Sequence, residues 1–374
     1  MDFKDIGEVM LFPFSEDMLN IIKFRDALEF NIVSVVSFKS WGYVGRDAAT
    51  IDGGIASGHI VNSDFETGLD KIDTVILGSF RKYYGDEHIV EKYLDEMLEA
   101  GKNVILLEDT FHINLIQYEE KFYEINRKLY YFAPNALDTL LLSQITIPVP
   151  VIGVFGLKEN CGKTEMQLLI ARALKKEGYK ISMIGPNTQI GLFGGNVYPE
   201  LLYRDDIGEI EKIKLIGSFA NKIVENEKPD ILIISSPYGI NSFGDDEVDY
   251  KYNGMLAHII IEALHPDANI FCINSGRDIR WSKRSIETLE LLSCAPTIAV
   301  ATKRINNRPE ITSLKLNTKL KKGLHSDNIF SQLKQTWNES TGKKVLDQDY
   351  LQDGEIVELI ENTFDTNNQL AKLI

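Results

Sequence analysis

The segment Val151–Thr188, VIGVFGLKENCGKTEMQLLIARALKKEGYKISMIGPNT, decides the fold of this chain. It contains a short apolar run, a loop that ends in Gly-Lys-Thr, a stretch with helical periodicity and a second apolar run. The periodic stretch places five apolar residues on one helical face: Met166, Leu169, Ile170, Ala173 and Leu174. We therefore predict a buried strand, a loop, an amphipathic helix and a second buried strand, in that order.

The loop in this segment has the residue types of a phosphate-binding loop. In such loops the backbone N–H groups and the positive end of the helix dipole face an anion, and glycine permits its close approach. Lys163 would supply an ammonium group to the terminal phosphates, and Thr164 a hydroxyl ligand to Mg²⁺. The spacing differs from GxxxxGK[ST], because the five residues LKENC separate Gly156 from Gly162. The predicted cofactor-binding residues are Gly156, Glu159, Asn160, Cys161, Gly162, Lys163, Thr164 and Glu165.

Apolar runs alternate with helical patterns along the rest of the chain. In the first part, NIVSVVSF (31–38), DTVILGSF (73–80) and KNVILLED (102–109) predict buried strands. Later in the chain, PVIGVFG, YKISMIG, DILIISS, ANIFCIN and TIAVAT predict five more. This alternation predicts an α/β protein in which a Rossmann-like domain precedes a P-loop NTPase-like parallel-sheet domain.

The length and the prolines predict where these domains divide. A chain of 374 residues exceeds what one hydrophobic core usually fills. Pro134, Pro148 and Pro150 interrupt regular structure and indicate a junction. We predict a Rossmann-like domain over 1–135, a linker over 136–150, a P-loop domain over 151–303 and a C-terminal extension over 304–374.

The composition argues against two classes of partner. A formal charge of −15 disfavours binding to nucleic acid, and no apolar run approaches the roughly 20 residues that span a bilayer. The first residues lack the features of a secretory signal, so we expect a cytoplasmic protein. One basic stretch, from Thr302 to His325, is either a solvated face or a docking surface for an acidic peptide or a cofactor phosphate.

The loop resembles that of one group of P-loop proteins. Glycine, five residues and Gly-Lys-Thr are similar to the loop of dethiobiotin synthetase and its relatives, in the class that includes the Min and Par partitioning ATPases. Lys158 lies five positions before Lys163, where the partitioning ATPases have a second, signature lysine. This resemblance implies a catalytic lysine that reaches a nucleotide, either in its own chain or in a homodimer partner; an exposed loop lysine is the alternative.

Two further segments resemble a two-domain family. IGPNTQIGLFGG (184–195) and LHPDANIFCINSGRD (264–278) are similar to its Thr-Gly-Gln-Thr-Gly and Pro-Asp…Pro-Gly-Arg segments. That family joins a Rossmann-like domain to a dethiobiotin-synthetase-like P-loop domain of the SIMIBI class, and some members are D-glutamate N-acetyltransferases. The resemblance covers roughly residues 1–303 and is strongest to a branch of peptide maturation system proteins, which lie beside genes for ribosomally made, modified peptides.

The sequence contains further candidate site residues and one departure from the family pattern. Thr188 and Gln189 would bind a substrate carbonyl or carboxylate, or would cap a turn. Arg277 would bind a substrate carboxylate or phosphate and assist catalysis, or would pair with Asp278. Asp206 would join Thr164 as a metal ligand, or would favour a helix N-terminus. The relatives have a glutamate where this chain has Ser235, which makes hydrolysis by the family route doubtful.

Three functions remain open at this point. The first is an enzyme that binds ATP and Mg²⁺ and modifies a small-molecule or peptide substrate during peptide maturation, with Lys163, Lys158 and Arg277 as catalytic residues. The second is an N-acyltransferase that binds coenzyme A in the same loop. The third is a non-catalytic, dimeric nucleotide switch that recruits a peptide-modifying enzyme. Melting temperatures with ATP, GTP and acetyl-CoA would separate the second function from the other two, and the effect of Lys158→Ala on oligomeric state and ATP response would test the third.

Overall fold

The computed structural model describes most of the chain as two compact units. The described residues are 6–80, 88–107, 113–132, 147–241, 254–273, 279–302 and 326–371. One unit comprises Met1–Ala133 with Gly191–Phe193, and the other comprises Pro134–Ile190 with Gly194–Ile374. Each unit contains a single parallel sheet, so the predicted α/β class with two parallel-sheet domains is confirmed.

The first unit is a five-stranded parallel sheet with short helices. Its strands are β1 (Glu8–Phe12), β2 (Asn31–Val35), β3 (Thr74–Leu77), β4 (Asn103–Leu106) and β5 (Leu129–Tyr131), in the order β2-β1-β3-β4-β5. Its helices are α1 (Leu19–Lys23), α2 (Glu66–Leu69), α3 (Ile89–Glu99) and α4 (Leu115–Glu124). Residues on β3 and β4 are all buried, as their apolar runs predict. The order is that of the doubly wound flavodoxin-like sheet.

Within the described ranges, the second unit contains seven parallel strands and six α-helices. The strands are β6 (Val151–Gly156), β7 (Ile181–Gly185), β8 (Asn196–Val197), β9 (Ile231–Ser235), β10 (Ala268–Ile273), β11 (Thr297–Thr302) and β12 (Lys344–Asp347). The helices are α5 (Lys163–Lys176), α6 (Glu209–Glu227), α7 (Met255–Leu264), α8 (Ile279–Ser293), α9 (Ser326–Thr341) and α10 (Asp353–Ala371). The strand order is β12-β11-β10-β6-β9-β7-β8, and all five predicted strands are present.

Helices bury both faces of this second sheet. The helix α5 packs against α10, whereas α6, α7, α8 and α9 pack against one another in succession. Every residue of β6, β9 and β10 is buried, which explains why these strands appear in the sequence as continuous apolar runs. No helix in the described ranges is both long enough and apolar enough to cross a membrane.

The last part of the chain completes the second sheet. Within residues 304–374, which the sequence predicts to be an extension, β12 pairs in parallel with β11 and α10 packs on α5. The Asp353 carboxylate at the start of α10 binds Arg172 at 2.8 Å and also pairs with Lys176, both on α5. The basic stretch between Thr302 and His325 lies almost entirely outside the described residues. The chain end is therefore part of the P-loop unit.

We expect Asp353→Asn to reduce stability at neutral pH. Burial raises the pKa of Asp353, but hydrogen bonds from Lys176 and Arg172 lower it by more, so the pKa lies below its ordinary value of 3.8. The contribution of the ionised Asp353 carboxylate to stability is therefore complete above that value. It is lost as the pH falls through the pKa of Asp353 in the folded protein. Urea unfolding would measure the free energy of unfolding of the wild type and of Asp353→Asn. The difference between the two should be constant above about pH 5 and should shrink below about pH 4. A difference that grows on acidification contradicts this assignment.

Candidate phosphate-binding site

The Gly-Lys-Thr loop lies at the point in the sheet where the strand order reverses. The strand β6 ends at Gly156, and α5 begins at Lys163. The strand β6 lies between β9 and β10. After β6 the chain continues to β7, toward one edge of the sheet, whereas after β10 it continues to β11, toward the opposite edge. In open α/β sheets ligands bind in the crevice at such a point, outside the carboxyl ends of the strands.

The loop backbone has the shape of an anion-binding nest. Asn160 and Gly162 have left-handed backbones, with φ of 53° and 91°. Among the described residues, the N–H groups of Gly162, Lys163 and Thr164 have no hydrogen-bond acceptor. These N–H groups lie at the N-terminus of α5, where the helix dipole is positive. Together they form a site suited to an anion.

Close backbone packing holds this loop against its neighbours. The N–H of Leu157 donates to the carbonyl of Cys272 at 3.0 Å, and the N–H of Ile240 donates to the carbonyl of Gly156 at 3.1 Å. A Cβ on Gly156 would lie less than 3.0 Å from the Cys161 sulfur, and a Cβ on Gly239 equally close to the Leu157 carbonyl. Glycine at 156 and 239 therefore allows β6, β9 and β10 to present the loop without distortion.

The ammonium group of Lys163 is enclosed by the loop. The residue is 8% exposed, and its Nζ donates to the Lys158 carbonyl at 2.8 Å and lies 3.9 Å from the Cys161 sulfur. Within the described part of the chain, Lys163 has no carboxylate partner. A buried positive charge without an opposite charge is unfavourable, so this position attracts an anion.

The other predicted loop residues differ in exposure. Glu159 and Asn160 are exposed, Lys158 and Thr164 are half-buried, and Glu165 is buried. Cys161 is buried beneath Gly156, where it fills space below the loop. The structure thus brings all eight predicted cofactor-binding residues and Lys158 into one loop and helix start, although their roles remain predictions.

Two predicted substrate residues lie at the same edge of the sheet. Thr188 and Gln189 begin a 3₁₀ segment, Thr188–Phe193, that follows β7. Gln189 is 4% exposed, and its N–H donates to the Asn187 side chain at 2.9 Å, so this turn is capped by a neighbouring side chain. Their substrate role stays a prediction. Arg277, the third candidate, lies outside the described residues.

Asp206, the second predicted metal ligand, is engaged by a neighbouring cation. Arg204 Nε donates to Asp206 Oδ1 at 2.8 Å, and its second nitrogen contacts Oδ2. This hydrogen bond holds the pKa of Asp206 below its ordinary value. In the residues that the structure describes, no group of three or more His, Cys, Asp or Glu side chains could hold a metal ion.

Sequence reasoning missed a buried glutamine beside Ser235. Gln167 lies one turn beyond Lys163 and is 0% exposed; its amide Nε2 donates to the carbonyls of Ile184 and Ile233 at 2.9 and 3.0 Å. The oxygens of Gln167 and Ser235 both lie within 3.1 Å of the space that a Cβ on Gly185 would occupy. These side chains are neutral, so they place no charge beneath the start of α5. The one signal in the sequence is that Gln167 is a polar residue among the apolar residues of α5.

We expect Gln167→Ala to lower the free energy of unfolding by about 2–4 kcal/mol, because two hydrogen bonds are lost and two buried carbonyls lose a donor. Urea denaturation would measure the change. Gln335→Ala is a matched control, because Gln335 is an exposed helical glutamine whose amide donates to the Glu339 carboxylate at 2.9 Å. Equal stability losses in the two variants would contradict the role of Gln167.

Comparisons with known proteins support the fold. No protein-family model and no curated protein matches the sequence. The crystal structure of a DUF1611 family protein from Anabaena variabilis superposes with a TM-score of 0.64 over 96% of this chain and 99% of that chain, at 14% identity. A nucleotide-binding protein in complex with ADP from Archaeoglobus fulgidus matches 57% of this chain and 86% of that chain, with 15% identity and a TM-score of 0.36. The first likeness shows a shared two-unit α/β fold; the second score is too low to show a common fold.

Proposed function

We propose that this protein binds ATP together with Mg²⁺ at the loop between β6 and α5. The observation that carries the proposal is the buried ammonium group of Lys163, which has no carboxylate partner among the described residues. A phosphate group at the N-terminus of α5 would provide the opposite charge. The N–H groups of Gly162, Lys163 and Thr164 would then bind the phosphate oxygens.

The residues of the loop fit a magnesium nucleotide in part. Thr164 would hold the ion through its hydroxyl, since it lies on the first turn of α5, and phosphate oxygens and water would complete the coordination. Asp206 would join only by exchanging its pair with Arg204 for the metal. When bound, Mg²⁺ would neutralise phosphate charge. Ser235 cannot supply the carboxylate that the resembling family has there, so binding is better supported than hydrolysis.

As an enzyme, the protein would modify a carboxylate-, amine- or amide-bearing substrate during the maturation of a ribosomally made peptide. The resemblance of residues 184–195 and 264–278 to the two-domain family supports this proposal. Thr188 and Gln189 would hold a polar group of the substrate at the edge of the sheet. Lys163 would stabilise negative charge that develops on the phosphates, with Lys158 and Arg277 as further cations.

The neutral side chain of Ser235 favours a second candidate function. Coenzyme A also has a pyrophosphate group, and acyl transfer from it needs no carboxylate for phosphoryl chemistry. The protein would then be an N-acyltransferase. The same serine is compatible with a homodimeric switch that binds a nucleotide without hydrolysing it and recruits a modifying enzyme; in that case Lys158 would contact the nucleotide of the partner.

Thermal unfolding with a panel of ligands tests the proposed function. A ligand at about 100 times its Kd stabilises the folded protein by about 2.7 kcal/mol, which for a chain of this length corresponds to a rise in Tm of a few degrees. We expect ATP with Mg²⁺ to raise the Tm, and acetyl-CoA to leave it unchanged. Stabilisation by acetyl-CoA alone would support the second candidate. If no member of the panel raises the Tm, the proposed function is wrong.

A further inference from the structure

A buried glutamine from the end of the chain contacts the phosphate-binding loop. Gln348 follows β12 directly, and its backbone N–H donates to the Thr302 carbonyl at 2.9 Å, which continues the pairing of β12 with β11. The residue is 3% exposed. Its amide Nε2 donates to the Gly162 carbonyl at 3.3 Å and lies 3.6 Å from the Cys272 sulfur on β10. The side chain therefore reaches across β11 and β10 to the loop.

This contact determines the orientation of one peptide group. The Gly162 carbonyl accepts from the N–H of Met166 at 2.9 Å, as the first acceptor of α5, and from Gln348. Because a peptide group is planar and trans, the N–H of Lys163 points in the direction opposite to this carbonyl. Two donors on the carbonyl thus fix the direction of an N–H that faces the proposed phosphate.

The side chain of Gln348 also occupies the space above Gly162. A Cβ at Gly162 would lie less than 3.0 Å from both Oε1 and Nε2 of Gln348. The buried Oε1 has no hydrogen-bond partner among the described residues, so the amide is oriented by its Nε2 contacts alone. A polar side chain that is almost fully buried with one unpaired oxygen costs stability, and a structural filler would be apolar. The glutamine is therefore better explained by its effect on the loop.

The same chain segment is attached along the helix that follows the loop. Asp353 binds Arg172 at 2.8 Å, and Glu361 accepts a hydrogen bond from the Tyr179 hydroxyl at 2.8 Å. These contacts hold α10 against the C-terminal half of α5 and the residues that follow it. The position of Gln348 is consequently tied to the helix whose N-terminus forms the site.

We propose that Gln348 is a positioning residue of the phosphate site, which orients the Gly162–Lys163 peptide toward bound phosphate. The inference rests on the proposed function. If Gln348 has this role, β12 and α10 belong to the ligand site. Because Gln348 acts on the loop amides, it affects the binding of the phosphates themselves and not the recognition of a base or sugar.

Isothermal titration of the full chain with ADP and Mg²⁺, and separately with pyrophosphate and Mg²⁺, tests this role. In Gln348→Met the shape is retained but the donor is lost, and we expect both ligands to bind about fivefold more weakly, the value of one hydrogen bond. Gln348→Glu keeps the size but adds negative charge beside the phosphates, so its loss should be about tenfold or more. Gln352→Met, at an exposed glutamine four residues later, should bind like the wild type.

The results distinguish three cases: Gln348 positions the loop, Gln348 has a structural role only, or the proposed phosphate site does not exist. Weaker binding of both ligands by Gln348→Met and Gln348→Glu, with Gln352→Met unchanged, supports the proposal. A lower Tm of the ligand-free variants with unaltered affinities means a structural role only and overturns it. Loss of ADP binding with normal pyrophosphate binding overturns it as well, since base or sugar recognition is then affected. If the wild type binds neither ligand, the proposed function fails and this inference with it.

Discussion

Gly162→Ala should weaken the binding of ADP with Mg²⁺ by about 100-fold or more, equivalent to about 2.7 kcal/mol. Two costs combine at this position. Gly162 has a φ of 91°, and an L-residue in a left-handed conformation costs about 1–2 kcal/mol. The new Cβ would also lie less than 3.0 Å from the Gln348 amide, which is buried and cannot swing into solvent. The loop must therefore shift, and its N–H groups lose the alignment that binds phosphate.

Gly178 provides a matched control for the left-handed cost alone. Its φ is 94°, and among the described residues other than its two chain neighbours no atom lies within 4 Å of the position of a Cβ there. Gly178→Ala should lose about 1–2 kcal/mol of stability and keep its ADP affinity. The double variant Gly162→Ala with Gln348→Ala removes the clash and should bind ADP better than Gly162→Ala alone, a non-additivity expected only for residues in contact. Strict additivity would show that the clash plays no part.

Lys163→Met should weaken ADP binding by about 100-fold and leave the ligand-free protein as stable as the wild type, or more so. A hydrogen bond to a charged group contributes about 1.5–3 kcal/mol, and methionine cannot provide it. In the ligand-free protein, however, the ammonium is buried without a carboxylate partner within the described residues, and an apolar side chain of similar length avoids that cost. Calorimetric titration would measure affinity, and urea unfolding would measure stability.

Lys175→Met is the control for this change. Lys175 lies on the same helix but is exposed, so its replacement should alter neither affinity nor stability by more than a few tenths of a kcal/mol. A Lys163→Met protein that binds ADP normally would remove the main support for the proposed function. A Lys163→Met protein that is much less stable without ligand would instead show that the ammonium is compensated by groups other than a bound anion.

Much of the fold could be predicted because its signals are local. The β6 and β9 strands are continuous apolar runs that are buried on both faces, and α5 has an apolar face at helical spacing. The strand β12 escaped prediction because four residues, KVLD, are too few to show a period. Gln167 escaped because its two acceptors, on β7 and β9, are chosen by strand order, which periodicity does not encode.

The sequence by itself determined the strands that are continuous apolar runs, the helix α5 and the Gly-Lys-Thr turn at the end of a buried strand, because these depend on side chains close together in the chain. Only the tertiary structure decided that β12 lies at the edge of the second sheet and that Gln348 contacts Gly162, 186 residues earlier in the chain. The physical reason is that such a contact arises from the burial of the whole sheet and from the pairing of separate strands. No local sequence pattern predicts which distant residue contacts the loop.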